Sequence, residues 1–172
     1  MKEFVVLLRG INVGGKNRLP MSDLRSICEA AGFSNVRTYI QSGNIVLESE
    51  SDKSSIADAI HTGIEREFGY DIKPFVIDSS RFRKIVDDFP FAVENPSFAL
   101  ILFVQTSPDL SVSFEDIEPD EITATKFAIY AHCPNGISRA IVSQNEIEKR
   151  YGVSSTTGRN LNSSRKICRL LS

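Results

Sequence analysis

The residues best placed to do chemistry stand at 10–17, Gly10-Ile11-Asn12-Val13-Gly14-Gly15-Lys16-Asn17, directly after an apolar run. They nearly match GxxxxGK[ST], the phosphate-cradling P-loop, with Gly10, Gly15 and Lys16 in register. Asn17 replaces the hydroxyl residue that would hold magnesium, and Pro20 delays the helix whose amides should face a phosphate. Two other readings fit the same letters. In one, free amides of Gly14 and Gly15 act with Lys16 and Arg18 as an anion nest that needs no magnesium. In the other, the loop is a Gly-rich turn that only joins a strand to a helix.

A second dense stretch, TTGRNLNSSRK at 156–166, sets hydroxyls, amides and cations at a predicted helix start. Asn162 as a helix cap with Ser163 and Ser164 would explain most of it, and Arg159, Asn160 and Arg165 are left over for binding. From Lys149 onward there are six Lys or Arg and no acids, whereas 106–121 holds six acids and no base. Such asymmetry in a chain of net charge −2 marks either a surface that attracts a polyanion or two segments that meet in a salt-bridged face.

Other chemistries find little purchase. No GxSxG occurs, and His61 and His132 lack HxxxH or HExxH spacing, which argues against a Ser/His/Asp hydrolase and against a metal centre. His132-Cys133 sit next to each other at a predicted strand end, where neighbouring side chains point oppositely, so they are expected to be core and turn residues. Cys28, Cys133 and Cys168 are odd in number and widely spaced, which predicts reduced, packed thiols without a cofactor. The apolar run at 98–104 is far too short to span a bilayer, and the acidic third residue does not suit a secretory signal. A soluble, cytoplasmic protein with no membrane contact is expected.

The elements that must position these residues follow from periodicity. Residues 4–8 read as a central strand, and Met21, Leu24, Ile27, Cys28 and Ala31 trace a helix stopped by Gly32. Residues 36–41 and 45–48 form a hairpin about Ser42-Gly43-Asn44, with Arg37, Tyr39 and Gln41 on one face. Ile56, Ala57, Ile60, Ile64 and Phe68 make a second helix, and 73–78 returns to strand. The first 78 residues thus spell βαββαβ.

Residues 79–97 read as a helical connector broken by two prolines, and 98–172 as a second βαββαβ-like unit ending in a helix. In that half, 98–105 is a strand and Leu110, Phe114 and Ile117 allow a short helix. A hairpin follows over 122–125 and 127–131. Ser143 and Glu146 open a helix to about Tyr151, 153–157 closes the sheet, and Asn162 caps a helix through Leu171. The fold class is α+β in tandem units, although a single mixed sheet shared by both halves is equally compatible. Strand 45–48 lacks the aromatic pattern of an RRM, leaving Tyr39 as the candidate stacking platform.

RGINVGGKN at 9–17, YIQSGNIVLES at 39–49 and the TTGRNLNSSRK ending resemble the uncharacterised bacterial family called domain of unknown function 1697. The resemblance spans nearly the whole chain and implies a compact protein of duplicated ferredoxin-like units, with no established activity to carry over. It marks as positions of interest Arg9, Asn12, Gly14, Gly15, Lys16 and Asn17, then Gln41, Ser42, Gly43 and Asn44, then Arg159, Asn160 and Asn162. Leu161 stands where the family usually has an aromatic, and Ser138-Arg139 where a Ser-Lys pair is usual.

The leading expectation is a binding protein, monomer or homodimer, that holds a phosphate-bearing small molecule or nucleic acid where these three segments converge. One alternative is a small metal-independent phosphoryl or acyl-phosphate hydrolase, with Arg9 or Arg18 stabilising transition-state charge and Gln41 or Asn44 positioning water. Another is a protein-interaction module using an exposed sheet face. Convergence meets an objection: the turn after the first strand and the hairpin between strands two and three are expected at opposite strand ends.

Overall fold

The computed structural model describes all 172 residues and divides into two units, Met1–Arg83 with Lys166–Ser172, and Lys84–Arg165. In the first unit, β1 (Lys2–Leu7), α1 (Met21–Ala30), β2 (Ser34–Tyr39), β3 (Asn44–Ser49), α2 (Lys53–Phe68) and β4 (Phe75–Asp78) follow the expected βαββαβ order. Its sheet runs β2-β3-β1-β4, with every pair antiparallel. β4 starts two residues later than its apolar pattern suggests, at the residue after Pro74, which has no N–H to give a ladder.

Alternation sends Phe4, Val6 and Leu8 of the first strand and its extension, and Ile45 and Leu47 of β3, to the face covered by the helices. Leu24, Ile27 and Cys28 from α1 and Ile56, Ile60 and Ile64 from α2 complete that core. α2 is capped by Asp52, which accepts from the Ser55 amide at 2.8 Å, and ends on Gly69. The two helices meet at Gly63, where a Cβ would come within 2.4 Å of Ile27 Cγ2, so a glycine is what permits their close approach.

The end of the chain is tied to β1 and β2 of this sheet. The Arg37 guanidinium donates to Glu3 Oε1 at 2.8 Å and to the Leu170 carbonyl, while Glu3 accepts from the Ser172 amide and hydroxyl at 3.1 Å. Burial pushes the Glu3 carboxyl up, but the bonds from Arg37 and Ser172 outweigh it and hold the group below its ordinary value of 4.5. A carboxyl depressed in the folded state contributes stability that is complete above its unfolded pKa and is lost as pH falls through the folded one. Between about pH 5 and pH 3 the urea midpoint of the native protein is therefore expected to fall more steeply than that of Glu3→Gln. Parallel slopes would show that the tether contributes nothing.

α3 (Ser79–Asp87) leads into the second unit, which contains β5 (Ala99–Val104), β6 (Glu121–Ala124), β7 (Ala128–His132), α4 (Gln144–Tyr151) and β8 (Thr156–Asn160). Its sheet runs β6-β7-β5-β8, again antiparallel throughout. The alternative of one mixed sheet shared by both halves is thus overturned: each unit closes its own antiparallel four-strand sheet. α5 (Leu161–Cys168) follows β8, and no helix in the chain is long and apolar enough to cross a membrane.

Three local expectations fail in this unit for identifiable reasons. The helix expected around Leu110, Phe114 and Ile117 does not form, and 105–120 is turn and coil. Asp109 Oδ1 instead accepts from the amide and hydroxyl of Ser111, and the Asp109 amide donates to the Tyr151 carbonyl. Ile117 and Phe114 still pack into the core beside Leu102, Ile129 and Tyr151. The last strand begins three residues later than expected because Val153 belongs to the end of α4. Gly152 adopts φ 69° and the Val153 amide donates back to the Glu148 carbonyl, burying the valine. Finally, the cap of α5 is Asn160, whose Oδ1 accepts from the Ser163 amide at 2.7 Å, and not Asn162.

Candidate functional site

The objection to convergence does not survive in the first unit. β1 and β3 are antiparallel with Leu7 opposite Asn44, so the end of β1 and the β2–β3 turn share one end of the sheet. The Leu8 amide donates to the Gly43 carbonyl at 2.9 Å, which joins the two segments directly. Gly43, at φ 78°, lies against the Leu8 side chain.

Asn12 completes the junction. Its Nδ2 donates to the Gln41 carbonyl and to the Leu19 carbonyl, each at 2.8 Å, and its Oδ1 accepts from the Leu19 amide at 2.8 Å. One side chain thereby closes the neck of the 12–19 loop and clamps it to the hairpin. Asn17 closes a smaller ring, donating through Nδ2 to the Gly10 carbonyl at 2.9 Å while its own carbonyl accepts from the Asn12 amide. Both asparagines are left-handed, at φ 53° and 48°, a conformation their short polar side chains tolerate. The Tyr70 hydroxyl donates to the Arg18 carbonyl at 3.1 Å and steadies the loop's far end.

Asn12→Ala removes three hydrogen bonds and leaves a left-handed alanine, and is expected to cost about 2 kcal/mol. Chemical denaturation would measure it. A loss below about 0.5 kcal/mol would mean that water replaces these bonds and that the clamp is not rigid.

The loop's tip is a two-residue turn. Gly14 and Gly15 both have positive φ, and the Lys16 amide donates to the Val13 carbonyl at 3.0 Å. This excludes the P-loop reading, because the sheet is antiparallel, the helix starts five residues beyond Lys16, and the Lys16 amide is spent on the turn. The side chains of Val13, Lys16 and Arg18 stand out into solvent, with Val13 67% exposed, whereas the exposed Asn17 turns its carboxamide back onto Gly10. Arg9 and Gln41 are also exposed. Gln41 lies past the end of β2, because Ile40 turns left-handed at φ 49° and breaks the alternation that would align it with Arg37 and Tyr39.

Asn44 and Ser42 are structural in large part. Asn44 is buried in β3, and its Nδ2 donates to the Tyr39 carbonyl and to Ser42 Oγ, both at 2.9 Å. Tyr39 is a poor stacking platform, since the Lys166 ammonium lies 5.9 Å from its ring centroid. Sequence reasoning does not single out Val13 or Ile40, both exposed aliphatics in otherwise polar motifs, and that contrast is the signal that could have found them.

The third segment belongs mostly to the second unit and is not the open cationic surface its composition suggests. Arg159 is only 9% exposed, donates to the Gly158 carbonyl at 2.8 Å, and has its pKa pushed down by burial to about 10. Asn160 is committed to capping α5, and Asn162 is half-buried on that helix. The acidic and basic segments of this unit do touch, through Arg150, which donates to the Ser113 carbonyl and stacks 4.1 Å over Phe114.

An antiparallel sheet of order β2-β3-β1-β4, formed once in each unit, defines an α+β protein of duplicated ferredoxin-like type. The chain belongs to the family of proteins of unknown function DUF1697, whose model matches residues 1–133 and so includes the loop and hairpin motifs. In structure it is similar to the conserved bacterial protein SP0830 from Streptococcus pneumoniae, with a TM-score of 0.73, 22% identity and 99% of each chain covered. At that identity the likeness speaks to the fold alone. No curated protein matches the chain.

Proposed function

We propose that this protein binds a phosphate-bearing ligand, a nucleotide or RNA, at the end of the first unit's sheet where the 10–18 loop meets the 41–43 turn. The observation that carries this reading is the pair Lys16 and Arg18. Both are exposed and neither meets a carboxylate within ion-pair distance, yet both sit on a loop immobilised by Asn12 and Tyr70. Cations held on a rigid loop lose little conformational entropy on binding, and phosphate is the oxyanion they recognise best as point and fork charges. Exposed Val13 and Ile40 add apolar surface on which the uncharged part of such a ligand can rest.

The test is a thermal-shift titration of the whole chain with inorganic phosphate, mononucleotides and a short RNA at low and moderate salt. Stabilisation that weakens with salt and disappears in Lys16→Ala/Arg18→Ala is the expected result. A shift with RNA alone would assign a polynucleotide. No shift with any of the three would make the loop a structural connector.

A further inference from the structure

A separate cavity of about 310 Å³ opens within the second unit, over the face of β5, β6 and β7. In the first unit α1 packs on β2, the strand in the position that β6 holds here. The second unit has only the irregular 105–120 segment in place of that helix, and the sheet face is left incompletely filled. The walls are mostly aliphatic, with Leu100, Ile122, Ala131, Ile137, Val142 and Ile147 among them. The size falls at the lower end of the roughly 300–1,000 Å³ typical of small-molecule sites.

One lining residue is charged. Asp120 is 6% exposed, and its Oδ2 accepts from the Ile141 amide at 2.8 Å. The Cys133 thiol also lines the cavity, and burial together with the nearby Asp120 carboxylate pushes it up to about 11, so that it stays neutral. No cationic side chain pairs with Asp120. The nearby amide of Gln144 is already taken, donating to Thr156 Oγ1 at 2.9 Å and to Glu148 Oε1 at 3.3 Å. A buried carboxylate with only neutral donors pays a desolvation cost that a cation beside it would offset.

We infer that this cavity is a binding site for a small organic cation, a primary ammonium on a short alkyl or aryl group, with Asp120 as its counter-ion. The aliphatic walls take the hydrocarbon part, and Asp120 at one side takes the ammonium. Charge decides the selectivity. A neutral alcohol of the same shape keeps the apolar contacts and loses the ion pair, and a carboxylate is repelled.

The test uses three isosteric probes, benzylamine, benzyl alcohol and benzoate, with isopentylamine as a second amine, followed by isoleucine-methyl NMR of the whole chain. Saturable shifts at Ile122, Ile137 and Ile147 are expected with an amine, at a dissociation constant of about 1 mM or tighter. Benzyl alcohol should bind roughly tenfold more weakly, and benzoate not at all. Asp120→Asn should erase the preference for the amine over the alcohol, and Ala140→Leu, which fills the cavity from its rim, should abolish both. The charge series on the unaltered protein decides the matter even if Asp120→Asn folds poorly. Equal affinity for amine and alcohol, an amine preference that persists in Asp120→Asn, or no saturable shift with either amine would overturn the assignment.

Discussion

Gly43→Ala is expected to destabilise the protein by about 3–5 kcal/mol. Two effects add. The residue has φ 78°, where an alanine costs roughly 1–2 kcal/mol. Its Cβ would also stand 2.7 Å from Leu8 Cβ and 2.8 Å from Ile11 Cδ1, both side chains of the buried core. Leu8 cannot retreat, because its own amide is bonded to the Gly43 carbonyl. Relief requires the hairpin to lift off the loop, which also breaks the Asn12 to Gln41 bond. Denaturant titration would show a lowered midpoint with an unchanged slope. Since the same displacement carries Lys16 and Arg18 away from the turn, any phosphate binding should weaken in parallel. A loss below about 1 kcal/mol would mean that the turn repositions freely and that the hairpin is not clamped to the loop.

Glu148→Ala is the second large effect, at about 3–4 kcal/mol. Glu148 is buried on α4 and Oε1 accepts from the Thr156 amide at 3.0 Å, from Thr156 Oγ1 at 2.7 Å and from Gln144 Nε2 at 3.3 Å. Removing it strands a buried amide and a buried hydroxyl at the start of β8, the edge strand that closes the second sheet. The cost follows from unsatisfied donors more than from the lost bonds themselves. A double-mutant cycle with Thr156→Val separates the two. The pair should cost less than the sum of the singles, because the valine removes one of the stranded donors. Strict additivity would show that Glu148 acts through something other than Thr156.

These two sites differ in how far the sequence announces them. Gly43 sits in a Ser-Gly-Asn turn between two β-rich runs, a local pattern with a local cause, and the hairpin is legible without any structure. The βαββαβ order of the first unit is legible for the same reason: each element carries its own periodicity and its own stop. Glu148 carries no such mark, because its partner at 156 is brought to it only by the chain's return through Gly152.

The second unit shows where periodicity misleads. Leu110, Phe114 and Ile117 have a helical look, but Asp109, Ser111 and two prolines compete for the backbone, so that Phe114 and Ile117 pack into the core from a coil while Leu110 stays exposed. Val153 and Asn162 look like a strand start and a cap, but Val153 is the buried residue after a left-handed glycine, and the cap is taken by a carboxamide two residues earlier, that of Asn160. Charge counting is the least transferable signal. The basic count from Lys149 onward includes Arg159, which is buried, and composition cannot distinguish an exposed cation from an enclosed one.

By itself, then, the sequence determined the class of fold, most elements of the first unit, and the loop and hairpin motifs, all of which rest on interactions between residues near in the chain. Tertiary structure decided the rest. Antiparallel pairing of β1 with β3 put the loop and the hairpin at one end of the sheet, residues 137–147 enclosed a cavity with β5, β6 and β7, and Asp120 came to face it without a counter-charge. Each depends on which strands lie side by side and on what covers them, and neither spacing nor composition encodes those relations.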